Sequence, residues 1–489
     1  MNILKNKAMN LTKKTALILM MVAVVSSCDD FGDLNEDPNN PSQVKTELLL
    51  TSAQRSVSSV TGSVVGTIYV QYIAETQYTD DSQYSSSTYN FNGWYTGPLQ
   101  DLQTIIDLNS DEVTKADVLS GGSNANQIAA ARILKAYFFH VMADRWGALP
   151  YTEALQGREN FTPSYDTQQD IYADLIKELK EAVAQMDDGE GVNGDILFSG
   201  DMQQWAMFAN SLRARIALRM ADVNSSVAEA EFTDALNDGI ITEDVMYPYL
   251  GNADNENPWY SRFRTRTDYA ISDVMANYML GLNDYRITRY ADPAEDLSNN
   301  DGETTFDEIN GMDYDAENAG DITNASISFP GKAIREQSAP LPIVTTAEMN
   351  FAKAEAVERG WISGSAEDYY LQAIEDSWSQ WNVYDADNYS AYVNTAEVAY
   401  SSAEWKKKIG TQKWVALFPL GYEAWGEWRR LSYPELTPHA FALNASGEIP
   451  VRHVYPTSES QINEEAYKNA VEVQGPDTPD THLWWDITD

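Results

Sequence analysis

The chain is poor in cysteine, histidine and positive charge, and each shortage removes a class of function. A single cysteine, Cys28, in 489 residues leaves no internal disulfide and no thiolate metal cluster. The four histidines, His140, His439, His453 and His482, share no spacing of the His-Glu-x-x-His kind, so neither metal nor cofactor is expected. Lysine plus arginine number 33 against 74 acids, a formal charge of −41 that disfavours nucleic acid as a partner. No Gly-x-Ser-x-Gly nucleophile turn occurs. Gly189-x-Gly-x-x-Gly194 has the letters of a dinucleotide loop, but it follows the acidic helix end Met186–Asp188 instead of a strand and reads as a turn. A glycoside hydrolase needs only two carboxylates, so that reading stays as an alternative with no catalytic residue to assign. What the chain has in plenty is core: 43% apolar residues are ample for a folded protein.

The first 27 residues carry Lys5, Lys7, Lys13 and Lys14 and no acid, then the apolar run Ala16–Val25. Ten apolar residues span only ~15 Å as a helix, about half a bilayer core, so the run describes a secretory signal and not a membrane span. Ser26-Ser27-Cys28 behind it resembles a bacterial lipobox, with Cys28 as the lipidated residue. Cleavage there leaves 29 basic and 74 acidic residues, a net charge of −45. Residues 28–42, punctuated by Pro38 and Pro41, read as a flexible lipidated tether. Residues 43–489 read as one domain, mainly α.

Helical spacing is clearest at Ile128–Met142, at Ile171–Met186 behind the capping box Thr167-x-x-Asp170, and at Trp205–Ile216. Capping boxes recur at Thr345-x-x-Glu348 and Ser365-x-x-Asp368. The two helices they start form a unit of about 34 residues, the length of a tetratricopeptide-like pair. Residues 44–75 are expected to be helical and 76–97 irregular. The stretch 241–343 is rich in Gly, Pro, Asn and Asp, a long-loop insertion of the kind that carries function. Its run 292–323 lacks the ligand and glycine positions of a calcium loop.

Six blocks in order resemble the SusD/RagB family of nutrient-binding outer-membrane lipoproteins of Bacteroidetes, in its second SusD-like subgroup. They are Asp30–Pro41, Asp144-Arg-Trp-Gly-Ala-Leu-Pro-Tyr-Thr-Glu-Ala154, Gly200–Arg219 with Asn-Ser-Leu-Arg213, Ala354–Trp361, Glu427-Trp-Arg-Arg430 and Ile449–Glu459. The resemblance implies a helical scaffold of four tetratricopeptide-like pairs with the loops packed on one side. It also implies a lid that captures an oligosaccharide, or a peptide in the RagB branch, over a SusC-like TonB-dependent transporter. Asp29 and Asp30 resemble the surface-export signal of such lipoproteins, which would place the protein on the cell surface, lipid-anchored in the outer membrane.

Sugar binding needs aromatic faces for the apolar side of a pyranose, with amides, carboxylates or arginines for its hydroxyls. Two loops offer both. The first holds Tyr78, Tyr84, Tyr89, Trp94 and Tyr95, interleaved with Asp80, Asp81, Asn90 and Asn92; the second holds Trp259, Tyr260 and Arg262. These eight are the candidate ligand-binding residues. Trp205, Trp378, Trp381, Trp425 and Trp428 fall in helical stripes and are expected in the core. Arg429, Arg430 and Arg452 are expected to pair with carboxylates and hold loops in place.

Overall fold

A computed structural model describes residues 44–85 and 88–487. The signal peptide, Cys28 and the tether expected over 28–42 lie outside the described residues. The N-terminal region expected to be one helix is broken into α1 (Thr46–Arg55), two short turns of helix at Ser58–Thr61 and Val65–Tyr69, and a strand, β1 (Ile73–Glu75).

The scaffold is a succession of antiparallel helices: α2 (Gln100–Ser110), α3 (Asn124–Trp146), α4 (Gln168–Ala184), α5 (Met202–Arg219) and α6 (Ser225–Asp238). Each packs on the next. A second group comprises α7 (Thr346–Glu358), α8 (Ala366–Gln380), α9 (Trp405–Ala416) and α10 (Gly421–Leu431), with α7 packed on both α8 and α9. The mainly α class read from the periodicity is what the chain adopts. All three capping residues act as read. Thr167, Thr345 and Ser365 accept hydrogen bonds from the backbone N–H of Asp170, Glu348 and Asp368. The α3 helix is apolar or buried nearly all round, the mark of a core helix, whereas α4 buries one stripe, Ile171, Tyr172, Leu175, Ile176, Leu179 and Ala182. At Gly147 α3 stops in a left-handed turn, φ +83°, where a Cβ would meet the Gln474 side chain at 1.9 Å.

The core of this scaffold is charged as well as apolar. Arg219 reaches Asp144 at 3.1 Å, Glu423 at 2.7 Å, and Glu427. Arg215 binds Glu348 at 2.7 Å, and Arg430 binds Glu355 at 2.6 Å and Glu427 at 2.7 Å. Lys413 adds a bond of 2.8 Å to Glu427. All of these groups are buried, so the pairs tie α3, α5, α7, α9 and α10 into one network. Burying such ions is favourable only while each stays paired. The cations around Glu427, Arg430 first, hold its carboxyl well below the usual range against the opposing effect of burial.

Arg452 pairs with Asp477 at 2.9 Å, and Arg429 donates to the carbonyls of Val451 and Asp144. These arginines therefore hold loops and the chain end, where buried Trp485 lies under Arg429 at 4.7 Å. Trp205, Trp378, Trp381 and Trp425 are buried, and Trp428 is partly so.

The insertion at 241–343 is loop-rich, with short helices and strands β4 (Val245–Tyr247), β5 (Tyr269–Ile271) and β6 (Leu341–Val344). Strand β4 pairs with β6, and β5 pairs antiparallel with β1 in the register Ile73↔Ile271 and Glu75↔Tyr269. That second pairing continues as Thr76 N–H donates to the Asp268 carbonyl at 2.8 Å. It lays the start of the first aromatic loop beside the second, across nearly 200 residues of chain. From Thr46 onward the chain forms one compact unit, and no helix among the described residues is long and apolar enough to cross a membrane.

Candidate functional site

The two aromatic loops meet, but their eight candidate residues meet different fates. Tyr84 and Trp259 are sealed in the core, 1% and 0% exposed, so in this structure neither offers a ring face to a ligand. Tyr84 is drawn in by its hydroxyl, which faces the Tyr314 hydroxyl at 3.5 Å and accepts the His439 N–H at 3.2 Å. Trp259 is held by Asn257, whose side chain caps its N–H at 2.7 Å while donating to the carbonyls of Ile334 and Ala339.

Tyr78 is 70% exposed, with the Arg266 guanidinium 4.9 Å from its ring. The other five are partly exposed. Tyr89 donates to Asp81 at 2.8 Å and lies 4.2 Å from the His453 ring. Trp94 sets its edge against Phe138 and lies 5.4 Å from the Arg145 guanidinium. Arg262 stacks 5.5 Å from Trp259, and Tyr260 sits beside it in the helix Pro258–Phe263.

Tyr95 lines a cleft of about 580 Å³ whose walls combine apolar and amide groups. Its ring packs between Phe91 and Phe139, fixed by a hydrogen bond from its hydroxyl to the Pro150 carbonyl at 2.6 Å. Burial, with the carboxylate of Glu459 nearby, keeps this phenol protonated far above its ordinary range. The same cleft is lined by Phe161, 74% exposed, on the loop that joins β2 (Leu149–Pro150) to β3 (Tyr165–Asp166). Asn92, Gln100, Asn160, Asn463 and Glu459 supply polar groups. The Asn463 amide donates to Pro163 at 2.8 Å and Glu459 accepts from Tyr165 at 2.7 Å, so both are held in place.

Phe161, Asn160 and Asn463 escaped the sequence reading. The available signal was one large aromatic stranded in the polar turn Asn160-Phe161-Thr162-Pro163. A larger cleft of about 640 Å³ at Thr288–Thr304 and Lys332 has polar walls and no aromatic ring. Among the described residues no cluster of three His, Cys, Asp or Glu side chains could hold a metal ion.

Fold and cleft together define a mainly α protein whose helical scaffold presents an aromatic and amide-lined cleft. A family described as starch-binding and associating with the outer membrane, the second SusD-like family, matches residues 38–456, and the chain belongs to it. A solved structure of a chitin-binding protein is similar at 26% identity and a TM-score of 0.78, covering 91% of this chain and 100% of its own. A SusD homolog from Bacteroides fragilis shares the fold at 23% identity and TM-score 0.78, covering 90% of this chain and 100% of its own. So does a chitin-binding SusD homolog from Flavobacterium johnsoniae, at 22% and 0.75, covering 91% and 99%. No curated protein matches.

Proposed function

We propose that this protein is a surface-exposed lipoprotein, anchored through Cys28, that captures oligosaccharides in the Tyr95–Phe161 cleft and acts as the lid of a SusC-like TonB-dependent transporter. The observation that carries the sugar-binding reading is the pairing of an exposed ring, Phe161, with fixed amide and carboxylate groups in one cleft. A pyranose laid on Phe161 would cover ~100 Å² of apolar surface, worth about 2.5 kcal/mol. Two such contacts, less ordering costs, give roughly micromolar to millimolar affinity, suited to a ligand that must be passed on. Family membership and the two chitin-binding relatives support the assignment. Of the sequence candidates, Tyr95 belongs to this cleft, and Tyr78, Tyr89, Trp94, Tyr260 and Arg262 are proposed to meet the ligand beside it.

Calorimetry of the mature protein against a broad glycan panel tests the reading. Binding that weakens tenfold or more in Phe161→Ala, with unchanged melting temperature, is expected. No binding to any glycan, or co-purification of peptides in place of sugars, overturns it in favour of a peptide-capturing lid. Recovery with a SusC-like barrel from outer membranes tests the lid role.

A further inference from the structure

Two arginines break the rule that governs the others. Among the described residues, every other arginine withdrawn from solvent has a carboxylate close by, as in the network of Arg215, Arg219 and Arg430. Among the described residues Arg145 and Arg262 have no carboxylate within ion-pair distance, although the sequence holds 74 acids. Arg145 is only 6% exposed and sits on rings instead, 4.2 Å from Trp146, 4.2 Å from Tyr422 and 5.4 Å from Trp94. One of its donors meets the His453 Nδ1 at 3.4 Å, and its Nε has no partner. That histidine is held neutral by burial and by the surrounding cations, Arg145 first, so it offers no countercharge. Arg262 lies against Trp259 and its Nη1 is likewise unmatched.

Burial lowers the proton affinity of both guanidiniums, and Arg145 lies 4.2 Å from the Tyr422 ring. The backbone brings the elements that carry Tyr422 and Arg262 to one segment. Tyr422 follows Gly421, whose Cβ would fall 2.2 Å from Thr67 N, so α10 starts in backbone contact with Val65–Tyr69. The Pro258 ring meets Gly62 just upstream in the same segment. Trp94, Tyr89, Tyr269 and Arg262 each keep part of their surface in solvent.

We propose that Arg145, seated on the Tyr422 ring, and Arg262, on the helix whose Pro258 meets the segment just before Val65–Tyr69, receive the anionic substituent of an acidic oligosaccharide, a uronate carboxylate or a sulfate. This rests on the sugar-binding reading and narrows it. Unpaired guanidinium donors in a dry aromatic setting favour an oxyanion that can accept two N–H bonds at once. The net charge of the chain opposes anions, but over distances beyond ~8 Å salt screens that repulsion while the contact pairs remain.

The test is an array of neutral, uronate-bearing and sulfated oligosaccharides, with acidic peptides alongside, probed by the mature protein. The expected result is preferential binding to anionic glycans, with the anionic-to-neutral ratio falling tenfold or more in Arg262→Gln. The partly exposed Arg262 makes this variant the one to rely on; Arg145→Lys, which keeps the charge but not the planar fork, should lower the ratio too. Uronate against sulfate separates the two sources of charge. Preference for neutral glycans, with the ratio unchanged in both variants, overturns the anionic site and leaves sugar binding standing. Binding of peptides alone, or of nothing, removes the sugar reading and this inference with it.

Discussion

Replacing Trp259 separates a packing role from a ligand-binding role at a position where the sequence pointed to the second. Its indole is wholly buried, edge-on to Tyr269 at 6.4 Å, with Arg262 stacked upon it. Truncating a buried tryptophan to alanine costs ~3–5 kcal/mol. An unfolding entropy of ~2.1 cal/mol/K per residue over about 440 folded residues is roughly 0.9 kcal/mol/K, so Trp259→Ala should lower Tm by ~3–5 °C. Trp259→Phe is expected to be much milder, within ~1.5 kcal/mol. It keeps a ring under Arg262 and removes an indole N–H that has no partner among the described residues. Differential scanning calorimetry of the two variants beside the wild type gives the comparison. A Trp259→Ala protein that melts with the wild type yet loses glycan affinity would refute the core assignment and restore the ring as a ligand platform.

Three further outcomes follow from named groups. Glu427→Ala leaves Lys413 buried without its carboxylate and takes one partner each from Arg219 and Arg430, so a loss of ~3–5 kcal/mol is expected in urea unfolding; a change under 1 kcal/mol would show the network to be solvated. Glu75, buried and accepting from the Ser82 N–H at 2.9 Å, has its carboxyl pushed from 4.5 up to about 8 by desolvation. A raised acid contributes stability that is present below pH 4.5 and lost as pH climbs through 8, so Glu75→Gln should flatten the decline in Tm between pH 5 and 8.5; parallel curves for the two proteins would contradict it. Cys28→Ala is expected to yield a folded, glycan-competent protein that no longer takes up labelled lipid, and membrane partitioning unchanged from wild type would disprove the anchor.

Short-range signals in the sequence proved dependable because their physics is local. A side-chain cap such as Thr167 or Ser365 acts within three residues, and a stripe such as Ile171–Ala182 needs only helical geometry. The buried network was invisible for the opposite reason. Arg215 and Arg219 stand on one helix, but their partners Glu348 and Glu427 lie 133 and 208 residues away. The same applies to the aromatic loops: sequence marks ring-rich segments, yet which rings the core absorbs depends on contacts between distant parts of the chain, the β1–β5 pairing among them. Tyr84 and Trp259 went inward because a hydroxyl and an N-cap found buried partners, while Tyr95 was left at the wall of a cleft. Phe161 was overlooked because it stands alone, outside any ring-rich stretch.

How a cation is held determines what it can still do. Arg219 directs Nε, Nη1 and Nη2 at Asp144, Glu427 and Glu423, which ties three helices together and balances its charge internally. Arg145 is retained mainly by the faces of Trp94, Trp146 and Tyr422, and a ring face attracts the charge without consuming the in-plane N–H donors. A salt bridge in that place would have been simpler in so acidic a chain, and it would have closed the site. Aromatic confinement therefore gives positioning and availability together, and it does so at the junction where the two aromatic loops and α10 meet. If glycan capture occurs there as well as in the Tyr95–Phe161 cleft, the neutral part of the ligand is read by stacking and its charged part by guanidinium, two independent tests of the same sugar.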